Sequence, residues 1–492
     1  MNLNNKILNY ILILLLALIS FGVYINSLHG EFLIDDQAAI LNNSQIHNLR
    51  DFFSKYFRIS PGILWSMIHA INWHISGANT YSYHLFNLLV NSGCVVLIFI
   101  LCKVLFKHQV LAFLTALIFA VHPIHTEAVS WISGGHYAFS SLFFIAAMIF
   151  YVKSYASISN FILALIFLTL CLFSGNSVAA LPAMFIVYDL FFRERHLKDK
   201  TSAKFRPLIL FLIAAISLAF VGIMFISRSQ FMHKIFYFRG PSYLIVASKA
   251  LVYYLKIIYL PLARGLYHPF AYTNTAINKI SPAFFLSLGV IFISIFTFFK
   301  CLKRHKPVSF GIAWFFIIYL PFSNIIPVCN IVSERYVYLP SLGLIIILAY
   351  LFLRVWEIIN RDTKYKGFLR ISAMLALALF LISYTILTVR RNREYRDIIT
   401  YWETNINNFP DGYMAYNNLA GTYYVMGERE QALAYCWVTL MINKDQPHVW
   451  CNLAKVYREK GDLKMAQYCY EEALRIDKGF LPAQAGLAAI KK

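Results

Sequence analysis

Charge is scarce in this chain. Only 14% of its 492 residues are Asp, Glu, Lys or Arg, against 59% hydrophobic, and mean hydropathy is +0.61. Soluble domains carry roughly 25% charged residues, so the deficit assigns most of the chain to a non-aqueous solvent. Acids are scarcer still: 23 Asp and Glu stand against 44 Lys and Arg, a formal charge of +21. In a soluble protein that excess points to nucleic acid. Here the basic residues lie in short loops between apolar runs, where the positive-inside rule puts them. No basic stripe with interleaved aromatics exists on a polar face, which excludes nucleic-acid binding. Paired cysteines are missing too. Cys94, Cys102, Cys171, Cys301, Cys329, Cys436, Cys451 and Cys469 are scattered with no CxxC spacing, so metal-ribbon and thioredoxin-type readings have no support. They read as small buried hydrophobes.

What is abundant is long apolar sequence. The run Ile7 to Ile25 can cross a ~30 Å bilayer core at 1.5 Å per residue. With no A-x-A-like cleavage site, it reads as a retained span rather than a removed signal peptide. Ten further runs follow: Leu85–Cys102, Val110–Val121, Tyr137–Val152, Phe161–Phe173, Val178–Phe192, Pro207–Ile226, Pro282–Phe299, Phe310–Pro321, Val337–Leu353 and Ile371–Val389. The expectation is an all-α polytopic bundle of about eleven spans. Several runs are shorter than the roughly 17 residues a lipid-exposed span needs, so neighbours are expected to bury them around a cavity.

Basic loops orient the bundle. Lys6, Lys103, Lys107, Lys153 and the loop Arg193–Arg206 are all cytoplasmic if the N-terminus is inside. His29 to Tyr81 then forms a large extracytoplasmic first loop. Within it, Ile63, Leu64, Met67, Ile68, Ile71 and Ile75 recur at helical spacing, as in a helix lying in the interface. Leu244–Leu262 reads as a second such helix, because Lys249 and Lys256 share one face. If it does not cross, the C-terminus is outside, at the expense of placing Arg390, Arg391, Arg393 and Arg396 against the charge rule.

The tail repeats itself. Asn418-Leu419-Ala420 recurs as Asn452-Leu453-Ala454, Tyr423 as Tyr457, Gly427 as Gly461 and Ala432 as Ala466. The shared offset is 34 residues, the tetratricopeptide (TPR) period, with small residues where paired helices touch. The repeats are assigned to 413–446, 447–480 and a partial 481–492, within a domain spanning 391–492. So few repeats make a weak solenoid, so the array is expected to lean on the helix containing Tyr401 and Trp402.

Three polar groups could carry chemistry. Asp35-Asp36 follows the first span by about ten residues. Adjacent carboxylates repel, raising the pKa of one, so one could take a proton from an attacking hydroxyl. The same residues would also make a helix N-cap before Gln37-Ala-Ala-Ile40. His122-Pro-Ile-His125-Thr-Glu127 gathers His122, His125 and Glu127 at the end of the third span. That is a polar cluster or a set of satisfied helix-end residues; a divalent metal is conceivable, although HxxHxE is not a zinc-enzyme signature. Ser333-Glu334-Arg335 precedes another span. Arg335 at that depth is expensive unless it meets an anion and suits phosphate; otherwise Glu334 and Arg335 form a simple surface pair.

The stretches Phe32–Asn43, His122–Val129 and Ser333–Gly343, followed by TPRs, resemble the transmembrane and TPR repeat-containing O-mannosyltransferase family of the GT-C glycosyltransferase superfamily. Tyr83–Leu88 and Leu181–Asp189 are similar to further family stretches. The resemblance runs in order along nearly the whole chain. It implies a GT-C-like membrane domain over residues 1–390, placed in a bacterial inner membrane, with the TPR α-solenoid extracytoplasmic. It also implies a polyprenyl-phosphate sugar donor, a protein or glycan hydroxyl acceptor and inversion at the anomeric carbon. Carried over, Asp35 becomes the general base with Asp36 in support. Glu127 and His125 match the second polar motif, with His122 and Glu334 beside them, and Arg335 becomes a donor-phosphate ligand. The chain departs from the family at Gly134-Gly-His-Tyr137, where Gly-Arg-Ala-Asp is usual. It departs again at Ser174-Gly-Asn-Ser177, where a Lys-Glu pair is common, and at Ser60-Pro61, where Arg-Pro is. Two other readings compete. An O-antigen ligase or polymerase also joins spans to TPRs, but places its working Arg and His in a large later loop that this chain lacks. A non-catalytic TPR scaffold would need no acid pair.

Overall fold

The computed structural model describes residues 3–57, 62–155, 157–175, 180–192, 243–260, 282–325, 332–361 and 366–490. Every regular element among them is helical. They divide into two compact units, one ending at Tyr395 and one beginning at Arg396.

Six helices of the first unit are long and apolar enough to cross a membrane: Asn5–Ser27, Tyr81–Phe106, Ser133–Lys153, Pro282–Cys301, Ser341–Arg361 and Lys366–Tyr395. Gln109–Val121 and Pro123–Ser130 make a seventh if their 54° bend is a break within one span. The eleven apolar runs thus exceed the spanning helices among the described residues. Ile158–Ser174, Leu181–Phe192 and Lys306–Phe322 are apolar helices of 10 to 17 residues, short of the ~20 a 30 Å core requires. The run Pro207–Ile226 and the basic loop Arg193–Arg206 lie outside the described residues. Along Pro282–Cys301, Phe285, Phe292, Phe296 and Phe299 are all exposed, the outward apolar surface a bilayer stabilises and water does not. The chain is a multi-pass membrane protein.

Tyr243–Tyr259 occupies the place read as an interfacial helix and has 17 residues. Val246, Ala250, Tyr254 and Ile257 bury one face at three- and four-residue spacing, and the helix packs along Pro282–Cys301. In the first loop, Ile63–Ser76 is also a helix. It buries Ile63, His69, Ala70 and Asn72 and leaves Ile71 and Ile75 of the six apolar positions exposed. The seven described cysteines are free, and all but Cys301 are buried.

The second unit is built from helix pairs: Tyr413–Val425 on Arg429–Ile442, then Pro447–Glu459 on Leu463–Ile476, closed by Leu481–Ile490. The 34-residue register is visible in the turns. Gly427 (φ +88°) and Gly461 (φ +84°) end the first helix of each pair in the left-handed region. Beyond each glycine the next amide returns to the helix, Glu428 N to Tyr423 O at 2.9 Å and Asp462 N to Tyr457 O at 3.0 Å. That is the αL termination for which glycine carries no Cβ penalty. Helix Ile398–Asn408, capped by Asp397 on Thr400 N at 2.7 Å, buries Tyr401 and Trp402 and packs on Tyr413–Val425. The short array does lean on that helix.

Candidate functional site

The site is organised by one stretch, His122 to His136. Helix Gln109–Val121 stops because Pro123 forces His122 to extended backbone (ψ 123°). The chain then turns through Pro123–His125 and Thr126–Ser130 and reaches Ser133-Gly-Gly135 before the next long helix. Asn87 ties this stretch down, its Nδ2 donating to the carbonyls of Trp131 (3.2 Å) and Ile132 (3.3 Å). The glycines permit that approach. A Cβ on Gly135 would lie 2.2 Å from Asn87 Oδ1, and one on Gly134 would lie 2.1 Å from Glu127 O.

The acid pair divides. Ile34 sits at φ +39°, a strained conformation for a β-branched residue, and the following turn sends Asp35 outward and Asp36 inward. Asp36 is fully buried. Its Oδ2 accepts from Leu33 N at 2.8 Å, and its Oδ1 accepts from Ser133 N at 2.8 Å and from the Ser133 hydroxyl. Burial pushes its carboxyl up to about 7 despite those three hydrogen bonds, and repulsion from Asp35 is the smallest contribution. Asp36 does precede the helical turn Gln37–Leu41, but its side chain makes no capping bond there, so the cap reading fails. Asp35 is exposed.

Glu334 and Arg335, neighbours in sequence, do not pair with each other. Arg335 NH1 meets Glu127 Oε1 at 2.7 Å, with both side chains nearly buried. Ser333 Oγ donates to the same oxygen at 2.7 Å and Arg335 N to Oε2 at 3.1 Å. The guanidinium carbon lies 4.7 Å from the centroid of the Trp131 ring, 5.8 Å from Tyr137 and 5.6 Å from Tyr336. Glu334 pairs instead with Arg391 at 2.5 Å. Arg391 also donates to Pro123 O at 3.0 Å and lies 3.7 Å from Glu394. The surface-pair reading is therefore wrong: each residue finds a distant partner, in one pair buried and in the other nearly so, because successive residues on a tight 3₁₀ turn point in different directions.

His122 and His125 are committed to protein groups. His122 Nδ1 accepts from Ile124 N (3.1 Å) while Nε2 donates to Ile258 O (2.9 Å). His125 Nδ1 donates to Phe119 O (3.0 Å) and Nε2 meets Ser341 Oγ (2.9 Å). Among the described residues, no three His, Cys, Asp or Glu are grouped to hold a metal ion. Of the seven candidate residues, the structure joins Glu127 to Arg335 directly. It joins Asp36 to the same stretch through Ser133, while Glu334 enters by way of Arg391 at Pro123. Sequence reasoning missed Ser133 and Arg391. Nothing distinguishes a serine before Gly-Gly, but an arginine inside an apolar helix end does signal a buried anion.

Beside this stretch, Tyr254 bridges to Ser333, its hydroxyl accepting from Ser333 N at 2.8 Å and donating to Ser333 O at 3.0 Å. The Tyr254 ring lies 5.5 Å from that of Tyr319. Tyr319 lines an apolar cavity of about 250 Å³ with Leu244, Leu251, Phe284, Leu288 and Phe316.

Comparison with known proteins bears on this arrangement. Residues 447–480 match the tetratricopeptide repeat family model. The chain is 23% identical over 518 residues to protein O-mannosyl-transferase TMTC3 of Homo sapiens, covering 95% of this chain and 55% of that protein. To Drosophila melanogaster protein O-mannosyl-transferase Tmtc3 it is 23% identical over 546 residues, 92% of this chain and 57% of that protein. A shorter match, 32% over 220 residues, is to protein O-mannosyl-transferase TMTC1 of Mus musculus, covering 38% and 23% respectively. The chain is a relative of the transmembrane and TPR repeat-containing O-mannosyltransferase family. It spans little more than half the length of the TMTC3 proteins. The family expectation of a helical membrane domain joined to TPRs is met by the two units described above.

Proposed function

We propose that this protein is a membrane glycosyltransferase that moves a sugar from a polyprenyl-phosphate donor to a hydroxyl of a protein or glycan acceptor outside the cytoplasm. One observation carries the reading: a clamped carboxylate and an exposed one stand side by side. Asp36, held by Leu33 and Ser133, fixes the first loop against the Glu127–Arg335 stretch and leaves Asp35 outside. Asp35 takes the proton from the acceptor hydroxyl. The oxygen attacks the anomeric carbon, the bond from that carbon to the phosphate oxygen breaks, and lipid phosphate leaves with inversion. Arg335, in its aromatic frame, stabilises the charge gathering on the leaving phosphate. The apolar cavity beside Tyr319 supports a lipid-borne donor. The relatives' names make mannose the first sugar to test, and the TPR unit is assigned to holding the acceptor or a partner. Asp35→Asn keeps shape and removes the base. Base catalysis contributes about 10²–10⁴-fold, so transfer from polyprenyl-phosphate mannose should drop by at least the lower figure in a protein that melts like wild type. Full activity in that variant would reduce the acid pair to a structural device and leave the scaffold reading in its place.

A further inference from the structure

His69 is buried, only 4% exposed, and without a hydrogen-bond partner for either ring nitrogen among the described residues. Native proteins rarely leave such groups unpaired, because each forfeits its hydration without return. A buried imidazole without a protein partner has hydrogen-bonding capacity to offer something outside the chain. Its surroundings indicate what. One helical turn earlier, half-buried Trp65 stands edge-on to the imidazole at 4.8 Å. Trp65 is in turn 6.2 Å from His136 and 5.6 Å from Phe139. His136 Nδ1 donates to Ser133 O at 2.7 Å, and Ser133 is the residue that clamps Asp36. His69 thus borders the wall of the candidate site, three residues removed from Asp36 along this path. Trp131, whose ring lies against Arg335, has a buried Nε1 that is also unpartnered among the described residues.

Burial pushes the His69 imidazolium down to about 3, so the ring is neutral. A neutral imidazole offers one N–H and one lone pair on opposite edges. An anion could use only the first and a cation only the second. A hydroxyl, which both donates and accepts, satisfies either edge, and vicinal hydroxyls on an apolar ring face fit a histidine beside an indole.

We propose that His69, with Trp65 as an apolar platform, binds the hydroxyl-bearing ring of the donor's sugar. The assignment rests on the lipid-linked donor reading above. It makes His69 a binding residue that folding does not need.

The test uses full-length protein in lipid nanodiscs with two probes, polyprenyl phosphate and polyprenyl-phosphate mannose. His69→Leu should weaken binding of the mannosylated lipid about tenfold, the effect of one or two lost hydrogen bonds. Binding of the bare lipid phosphate should not change. His69→Gln, which keeps a donor and an acceptor, should recover most of the loss. The ligand-free Leu variant should melt at or above the wild-type temperature, since it removes an unpaired buried polar group. Unchanged binding of the mannosylated lipid in the Leu variant would overturn the assignment. So would equal loss of both lipids, or a lowered melting temperature, which would mark a structural histidine. Wild-type protein that binds neither lipid would overturn the donor reading itself.

Discussion

Asp36 and Ser133 lie ninety-seven positions apart and meet twice, through the serine amide at 2.8 Å and through its hydroxyl, both donating to one carboxylate oxygen. Each bond holds the loop that carries Asp35 against the stretch that carries Glu127. Asp36 is therefore a positioning residue, and its burial makes it titrate in an accessible range.

The pH dependence follows from that burial. The Asp36 carboxyl rises from 3.8 in the unfolded chain to about 7 in the folded one. A raised folded-state value means the folded state binds the proton more tightly. Its contribution is fully present below about pH 4 and is lost as pH climbs through 7. Wild-type protein should gain thermal stability over Asp36→Asn on acidification from pH 8 to pH 5, because the asparagine variant lacks this proton. Parallel melting curves for the two proteins across that range would refute the buried, elevated carboxyl.

Glu334 and Arg391 give a second prediction. Side-chain exposures of 3% and 10% make this a buried pair. Removing one partner of such a pair costs about 3–5 kcal/mol, whereas replacing both by apolar residues can be neutral. Arg391→Met should therefore lower the melting temperature sharply in detergent, and Glu334→Leu with Arg391→Met should restore much of it. A double variant no better than the single would show that the two charges do not depend on each other.

The pair also bears on topology. Arg391 is matched by Glu334 and lies near Glu394, and Arg396 pairs with Asp397 at 2.8 Å. Two of the four arginines that argue against an outside C-terminus, Arg391 and Arg396, are thereby held in ion pairs with acids. A C-terminal alkaline phosphatase fusion should be active. A fluorescent green protein fusion with an inactive phosphatase would place the TPR unit in the cytoplasm.

What could be read from sequence was local or periodic. The TPR register needed only the 34-residue offset, and Gly427 and Gly461 show why it holds: the same left-handed turn recurs in each pair. Asp35-Asp36 stood out because adjacent acids are rare in so apolar a chain. Their division of labour was hidden, since the clamp comes from Ser133, a residue of ordinary appearance far along the chain. Glu334-Arg335 was misleading for the opposite reason. Proximity in sequence implied a pair, but the 3₁₀ turn separates the two side chains and gives each a distant partner. Apolar runs located the helices well, and among the described residues six of those helices, or seven with the bent pair, are long and apolar enough to span.

Arg335 supplies the last prediction, since its geometry separates charge from shape. Glu127 Oε1 takes its NH1 at 2.7 Å, and the Trp131, Tyr137 and Tyr336 rings frame the planar head. Lysine keeps the charge but has neither the fork nor the flat face that stacks on aromatics. Arg335→Lys should therefore retain partial transfer from a polyprenyl-phosphate sugar, and Arg335→Ala should retain far less. The alanine variant also leaves Glu127 nearly buried without its cation, which by itself can destabilise the bundle by about 3–5 kcal/mol. Glu127→Gln combined with Arg335→Ala removes that orphaned charge and isolates the catalytic loss from the folding one. If the double variant melts like wild type yet transfers no faster than Arg335→Ala, the arginine acts on substrate. Recovery of transfer together with stability would make Arg335 a structural partner of Glu127 and nothing more.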